Sequence, residues 1–283
     1  MTRRVALETA VMTHGLPAPY NEQAGVQMCD AVRQAGGVPV VIGIIEGEPI
    51  VGLTEEQMRH LARHPAPQKV ALHNLALVCA QRQSGGTTVS ATLWLARRAG
   101  ISVMATGGIG GVHRGDAHDI SADLPALARL PLLVVCSGAK VILDLPATRE
   151  WLETWGIPVV GYQTDELPGF YTAHTGLRVD AVANTVEQIG AFWHAHQHMG
   201  TGTAMLVVQP PPAEHAMPAK EVEAMIAQAC AEAEAQGIQG AATTPYLLRR
   251  LAELSEGRTV PLNLALLKAN AHLAGAIATV LED

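Results

Sequence analysis

Five short apolar runs, Val38–Ile45, Ser102–Thr106, Leu132–Cys136, Pro158–Tyr162 and Ala204–Val208, recur along the chain with helix-periodic stretches between them. Such runs, bounded by turn residues, read as buried strands. Strands that alternate with helices assemble into a mainly parallel sheet covered on both faces. The expected fold is therefore α/β, a three-layer α/β/α arrangement. Two of the intervening helices are expected at Thr87–Arg98, closed by Gly100, and Val141–Trp155, closed by Gly156; glycine just past the last turn stops a helix. A proline-rich connection, QPPPAEHAMPAKEVEAM, leads into three further helices, Lys220–Ala235, Thr244–Ser255 and Pro261–Leu281. All 283 residues read as one α/β domain with a helical C-terminal part.

Composition narrows the partners. Hydrophobic residues make up 48% and charged ones 16%, ample for a large core. A net charge of −7 argues against nucleic acid, because phosphate binding needs a basic stripe. Cys29, Cys79, Cys136 and Cys230 share no Cys-x-x-Cys spacing and read as reduced core thiols. The first residues, MTRRVALETAVMTHG, hold no uninterrupted apolar leader, and no run is long enough to span a membrane. The expectation is a soluble, cytoplasmic protein.

Chemistry concentrates in a few stretches. After the run Leu132–Cys136 comes a tight Ser137-Gly138-Ala139 turn, and then Lys140 at the start of the expected helix. Open parallel sheets bind ligands beyond the carboxyl ends of their strands. A lysine there among Ala139, Val141 and Ile142 is poorly hydrated, which favours the neutral, nucleophilic amine; a lysine reaching from a helix start into solvent is the alternative. Glu8 sits in the apolar run Val5–Val11, where burial would raise its pKa and suit it to donate a proton. The glycines 107, 108, 110 and 111 let the backbone approach a ligand closely, but His113 occupies the third glycine position of a dinucleotide fingerprint, which excludes a nicotinamide cofactor. The following loop carries His113, Arg114, Asp116, His118, Asp119 and Asp123, donors for anions and ligands for a hydrated Mg²⁺- or Mn²⁺-type ion; Asp123 would equally serve as a helix cap. Ser84–Val89 leads into a helix and could seat a phosphate or simply cap it. His194, His196 and His198 lack a zincin pattern and read as a solvated helix face.

Together these stretches resemble the pseudouridine-5′-phosphate glycosidase family along nearly the whole chain. The matching segments are LETAVMTHGLPAPYN, SGGTTVSATLWLARRAGI, ATGGIGGVHRGDAHDISADL, VVCSGAKVILDLPATREWLET, GIPVVGYQTDELPGFY and NLALLKANAHLA. The resemblance implies Lys140 as the Schiff-base nucleophile, Glu8 as the proton donor and Lys69 as a second active-site lysine whose charge helps keep Lys140 neutral. It implies Asp119 as the ligand of Mn²⁺ or a similar ion such as Mg²⁺. Thr88, Val89, His113, Ser121, Ala122, Asp123 and Asn263 match positions that contact substrate. It further implies a homotrimer acting on ribose 5-phosphate and a carbon partner. That partner is uracil by default, or an aromatic aglycone if the enzyme is a C-glycosynthase. A sugar-phosphate-binding homologue without activity is the reading from another class, and an aldolase-like lyase would need a closed barrel. The chain departs from the family at Thr9, Ala10, Leu72–Leu75, Gln81, Thr172–His174 and Gln209, which touches the identity of the partner more than the sugar chemistry.

Overall fold

A computed structural model describes residues 3–115, 118–238 and 243–281. Its strands are β1 (Arg4–Leu7), β2 (Val38–Ile45), β3 (Glu48–Val51), β4 (Gln68–Val70), β5 (Gly85–Thr87), β6 (Val103–Ala105), β7 (Val112–His113), β8 (Leu133–Cys136), β9 (Leu143–Asp144), β10 (Val159–Tyr162), β11 (Ala181–Ala183) and β12 (Met205–Val208). Helices are α1 (Tyr20–Gln34), α2 (Glu55–Arg63), α3 (Leu75–Ala80), α4 (Val89–Arg98), α5 (Asp123–Leu127), α6 (Leu145–Thr154), α7 (Val186–Met199), α8 (Ala219–Ala235), α9 (Thr243–Leu254) and α10 (Thr259–Val280). One sheet runs β11-β10-β12-β8-β6-β1-β2-β5-β4, with β3 also on β2, while β7 and β9 pair separately. From β11 to β2 every neighbouring pair is parallel; β3 and β5 run antiparallel to β2. The sheet is open, so the closed barrel of an aldolase-like lyase is not formed.

The central strands are buried on both faces, as their continuous apolar sequence demands. α10 lies across β1, β6 and β8 and beside α1 and α7, whereas α4 covers β1 and β2 next to α5. One contiguous set of buried residues joins the sheet to these helices. The chain leaves β1 toward β2 on one side, and leaves β6 toward β8 on the other. That reversal opens a crevice beyond the carboxyl ends of β1 and β6, where ligands bind in such sheets. Glu8 and Thr106 are the first residues past those two ends.

The five expected strands and the three C-terminal helices occur with shifts of one or two residues at their ends. Gly100 and Gly156 close their helices with left-handed φ values of 70° and 66°. One boundary is corrected: Lys140 does not open a helix. Its N–H donates to Ile109 O at 3.0 Å, β9 then pairs with β7, and α6 starts only at Leu145. Asp144 caps that helix by accepting from Ala147 N–H at 2.9 Å, with Pro146 in its first turn. Lys140 is thus held on an extended loop. Among the described residues no helix is long and apolar enough to cross a membrane.

Candidate active site

Past the end of β1 the chain enters a π-helical turn, Val11–Gly15, a distortion common at functional sites. This turn, the glycine loop after β6, the Lys140 loop after β8 and helices α9 and α10 surround a pocket. Glu8, Lys69, Lys140 and Asn263 all line it, together with Ala10, Val11, His14, Gly107, Gly108, Phe170, Leu248 and Leu267. Four residues singled out from the sequence, drawn from positions 8 to 263, therefore meet in one cavity.

Glu8 is 6% exposed, and Thr106 Oγ1 donates to its Oε1 at 2.6 Å. Burial is the main influence and raises its pKa above the ordinary 4.5; the Lys140 charge and the Thr106 bond oppose this, and the Asp123 charge adds to it. Lys69 is exposed as a residue and lines the pocket. Loss of hydration, then repulsion from Lys140, lowers its pKa, with Asp123 and Glu8 pulling the other way. His14 is lowered for the same reasons, burial first and Lys69 second.

Two glycine positions allow this convergence. Gly138 adopts φ of 83°, and a Cβ there would stand 1.9 Å from Pro168 O. A Cβ on Gly110 would stand 2.1 Å from Ser121 Oγ, so neither loop tolerates a side chain. Asn270 of α10, fully buried, fastens both loops: its Nδ2 donates to Thr106 O at 2.9 Å and Gly107 O at 3.3 Å, and its Oδ1 accepts from Ser137 Oγ and Gln209 Nε2. On the same helix Asn263 Nδ2 donates to Tyr171 OH at 2.9 Å.

The remaining expected site residues are not part of the pocket lining. Asp123 does not cap its own helix, which has Ala122 in the cap position. Its oxygens instead accept from Ser90 N–H and Gly110 N–H, both at 2.9 Å. That carboxylate thus accepts at the amino end of α4, where a helix favours anions; Gly85–Thr87 itself is strand β5. Thr88 donates its N–H to Val70 O at 2.8 Å, fixing α4 next to the strand of Lys69, and Val89 is buried behind it. Ser121 N–H donates to Gly111 O, and Ser121 and Ala122 flank the glycine loop on the side of Asp123.

Asp119 is 47% exposed at its side chain, and His113 Nδ1 lies 3.2 Å from its Oδ1. Asp116 lies outside the described residues. Among those described, no three His, Cys, Asp or Glu side chains cluster as a metal cage. One carboxylate of this kind fits an ion that keeps most of its waters, as Mg²⁺ and Mn²⁺ do. His194 and His198 are exposed on α7, and His196 Nε2 meets Thr203 O at 2.9 Å in a local turn. Sequence reasoning passed over His14, Phe170, Leu248 and Leu267. Of these, His14, Phe170 and Leu267 lie in matched segments, which is a usable signal, whereas Leu248 lies outside them.

The family model for indigoidine synthase A-like proteins matches residues 3–280. The chain belongs to the indigoidine synthase A-like family. A pseudouridine-5′-phosphate glycosidase of Gemmatimonas aurantiaca is 50% identical over 99% of this chain and 91% of its own. That of Herpetosiphon aurantiacus is 49% identical over 98% and 92%. Among solved structures, an indigoidine synthase A-like protein of Thermotoga maritima superposes with a TM-score of 0.92 at 37% identity, covering 99% of this chain and 93% of that one. The prealnumycin C-glycosynthase AlnA, in complex with ribulose 5-phosphate, follows at 0.90 and 36%, covering 98% and 91%. This family member therefore matches glycosidases in sequence and superposes on a C-glycosynthase over nearly its whole length.

Proposed function

We propose that this protein makes or breaks a C–C glycosidic bond between ribose 5-phosphate and a carbon nucleophile, with uracil as the default partner. The observation that carries the reading is the meeting of Glu8, Lys69 and Lys140 in one pocket at the switch point of the sheet. A C–C bond offers no electronegative leaving atom, so the two-carboxylate route of ordinary glycosidases does not apply. A lysine amine and a carboxylic acid suffice instead.

In the cleavage direction O4′ leaves C1′ as a hydroxyl while the Lys140 nitrogen bonds to that carbon and gives up a proton. The C1′–C5 bond then breaks. Its electron pair goes to the base carbon, which takes the proton of the Glu8 carboxyl, and the nitrogen lone pair closes an iminium at C1′. Water hydrolyses the iminium to ribose 5-phosphate and free Lys140, and the proton released returns to Glu8. The raised pKa of Glu8 supports its role as the acid. Lys69 and Asn263 would hold hydroxyl or phosphate groups of the sugar, with Thr88, Val89, His113, Ser121, Ala122 and Asp123, which stand outside the pocket lining, bracing the loops and helix around it. A Mn²⁺ or Mg²⁺ ion at Asp119 would supply a positive charge that favours the bound phosphate. A homotrimer is the proposed assembly.

The match of 50% to glycosidases, against 36% to the synthase, supports cleavage. Synthesis on an aromatic aglycone is the same chemistry reversed, and the apolar lining by Val11, Phe170, Leu248 and Leu267 favours it. The test is borohydride reduction with ribose 5-phosphate, followed by peptide mapping, alongside uracil release from pseudouridine 5′-phosphate. The expected result is an adduct on Lys140, absent from Lys140→Ala, and uracil release by the wild type. An adduct without uracil release assigns synthesis. No adduct overturns the proposal in favour of a binding-only homologue.

A further inference from the structure

Leu7 of β1 pairs with Ala105 of β6, so the next residues, Glu8 and Thr106, leave the sheet side by side. Thr106 is fully buried, and its backbone is fixed on both sides. Its N–H donates to Val135 O at 3.0 Å, and its carbonyl accepts from Asn270 Nδ2 at 2.9 Å. The carbonyls of Thr106 and Gly107 both need a donor, which sets the way the Asn270 amide faces. The Thr106 hydroxyl is thereby aimed at Glu8, with Oγ1 2.6 Å from Oε1. Among the described residues that hydroxyl makes no other bond. A buried hydroxyl must place its single proton on an acceptor. Thr106 therefore donates and Oε1 accepts, whether Glu8 is charged or neutral.

A neutral carboxyl carries its proton on one oxygen, and with Oε1 held as an acceptor that oxygen is Oε2. We propose that Thr106 is a positioning residue for the proton transfer of the reaction above, on which this inference rests: its hydroxyl keeps Oε1 as the acceptor, so the leaving carbon takes its proton from Oε2. In that step the electron pair of the C1′–C5 bond takes the proton, and the pair of the Oε2–H bond stays on Glu8. The carboxylate left behind then accepts from Thr106 through a charge-assisted bond, stronger than the one to the neutral acid. Thr106 thus aims the acid and also strengthens it. Burial raises the Glu8 pKa and would make the acid hold its proton; the Lys140 charge, then the Thr106 bond, then the Val11 N–H oppose this. The other groups facing Glu8 are Asp123 of α5 and Lys69 of β4, with His14 of the π-helical turn on the same pocket wall.

The hydroxyl can be removed without changing the shape around it. Thr106→Val does so, and Thr106→Ser keeps the hydroxyl. Each variant is assayed for kcat/KM with pseudouridine 5′-phosphate across pH, and for the borohydride adduct with ribose 5-phosphate. For Thr106→Val the expected result is adduct formation within about twofold of wild type and kcat/KM lower by about tenfold or more. The basic limb of its pH profile should also move to higher pH, because a carboxylate without its donor takes back a proton sooner. A limb set by Lys69 would not rise, since the Glu8 charge supports that cation. Thr106→Ser should return kcat/KM to within about threefold and restore the wild-type limb. If Thr106→Val does not fold, Thr106→Ala carries the same expectation. Infrared difference titration of the Glu8 carboxyl, assigned with Glu8→Gln, reads the same rise even if the enzyme runs only toward synthesis. An unmoved titration, an unchanged kcat/KM, or loss of adduct in parallel with turnover overturns the role of Thr106. A wild-type protein that forms no adduct overturns the underlying function instead, and the two failures are distinct.

Discussion

Asn270→Ala removes a side chain that bonds the loops after β6, β8 and β12, and its cost follows from which partners find a substitute. Gly107 O retains a bond from Ser137 N–H at 2.9 Å, and Gln209 is half-buried and can reach water. Thr106 O and the Ser137 hydroxyl, both in fully buried residues, lose their Asn270 partner. An unsatisfied buried group costs about 1–3 kcal/mol, and the void left by the amide adds to it, giving about 3–5 kcal/mol in all. At about 2 °C per kcal/mol for a chain of this size, Tm should fall by about 6–10 °C. Asn270→Asp keeps the shape but turns a donor into an acceptor facing Thr106 O, and should cost at least as much. Thermal unfolding followed by circular dichroism at constant pH measures both. A shift below 2 °C for Asn270→Ala would refute the claim that this network braces the site.

The remaining predictions concern the pocket itself. Because burial raises the Glu8 pKa, the native state keeps that proton to a higher pH than the unfolded chain does; wild-type stability therefore falls as pH rises from about 4.5 through the folded value. Glu8→Gln does not titrate and still accepts from Thr106, so it should be more stable than wild type at pH 7, with the difference gone by pH 4 in urea titrations. The same variant should form the ribose 5-phosphate adduct yet fail to release uracil. Gly138→Ala meets both a left-handed φ and a carbonyl at 1.9 Å; it should yield little folded protein on expression, whereas Gly156→Ala, with nothing near its Cβ, should fold with only a modest drop in Tm.

Much of this architecture could be read from the chain because burial on both faces leaves a plain signature. The runs at Val38–Ile45 and Leu132–Cys136 are continuous apolar strands, and Gly100 and Gly156 stop their helices as expected. Strands β4, β5 and β11 were not legible, since three residues such as Gly85–Thr87 carry no periodicity and form only because β2 and β4 offer edges. The start of α6 was misread because Val141–Leu143 fits a helical period, while pairing of β9 with β7 is a long-range contact. Glu8, Lys69, Lys140 and Asn263 were found as motif positions. Leu248 was not, because an apolar residue on α9 becomes a pocket wall only through the packing of α9 beside the π-turn and α10.

The departures from the family pattern gain meaning from where they fall. Gln209 bonds Asn270, Thr9 Oγ1 donates to Ile42 O at 2.7 Å, and Asn74 Nδ2 donates to Lys69 O at 3.1 Å. These three act on the frame that holds the pocket, and each still makes the hydrogen bonds its place requires. Ala10 is different. It lines the cavity, two residues from Glu8. A methyl group there, in a wall also built from Val11, Phe170, Leu248 and Leu267, makes that side of the pocket apolar. None of these positions is Glu8, Lys69 or Lys140, so the bond chemistry proposed above rests on residues that the departures leave in place, and the departures bear on the frame and on the apolar wall instead.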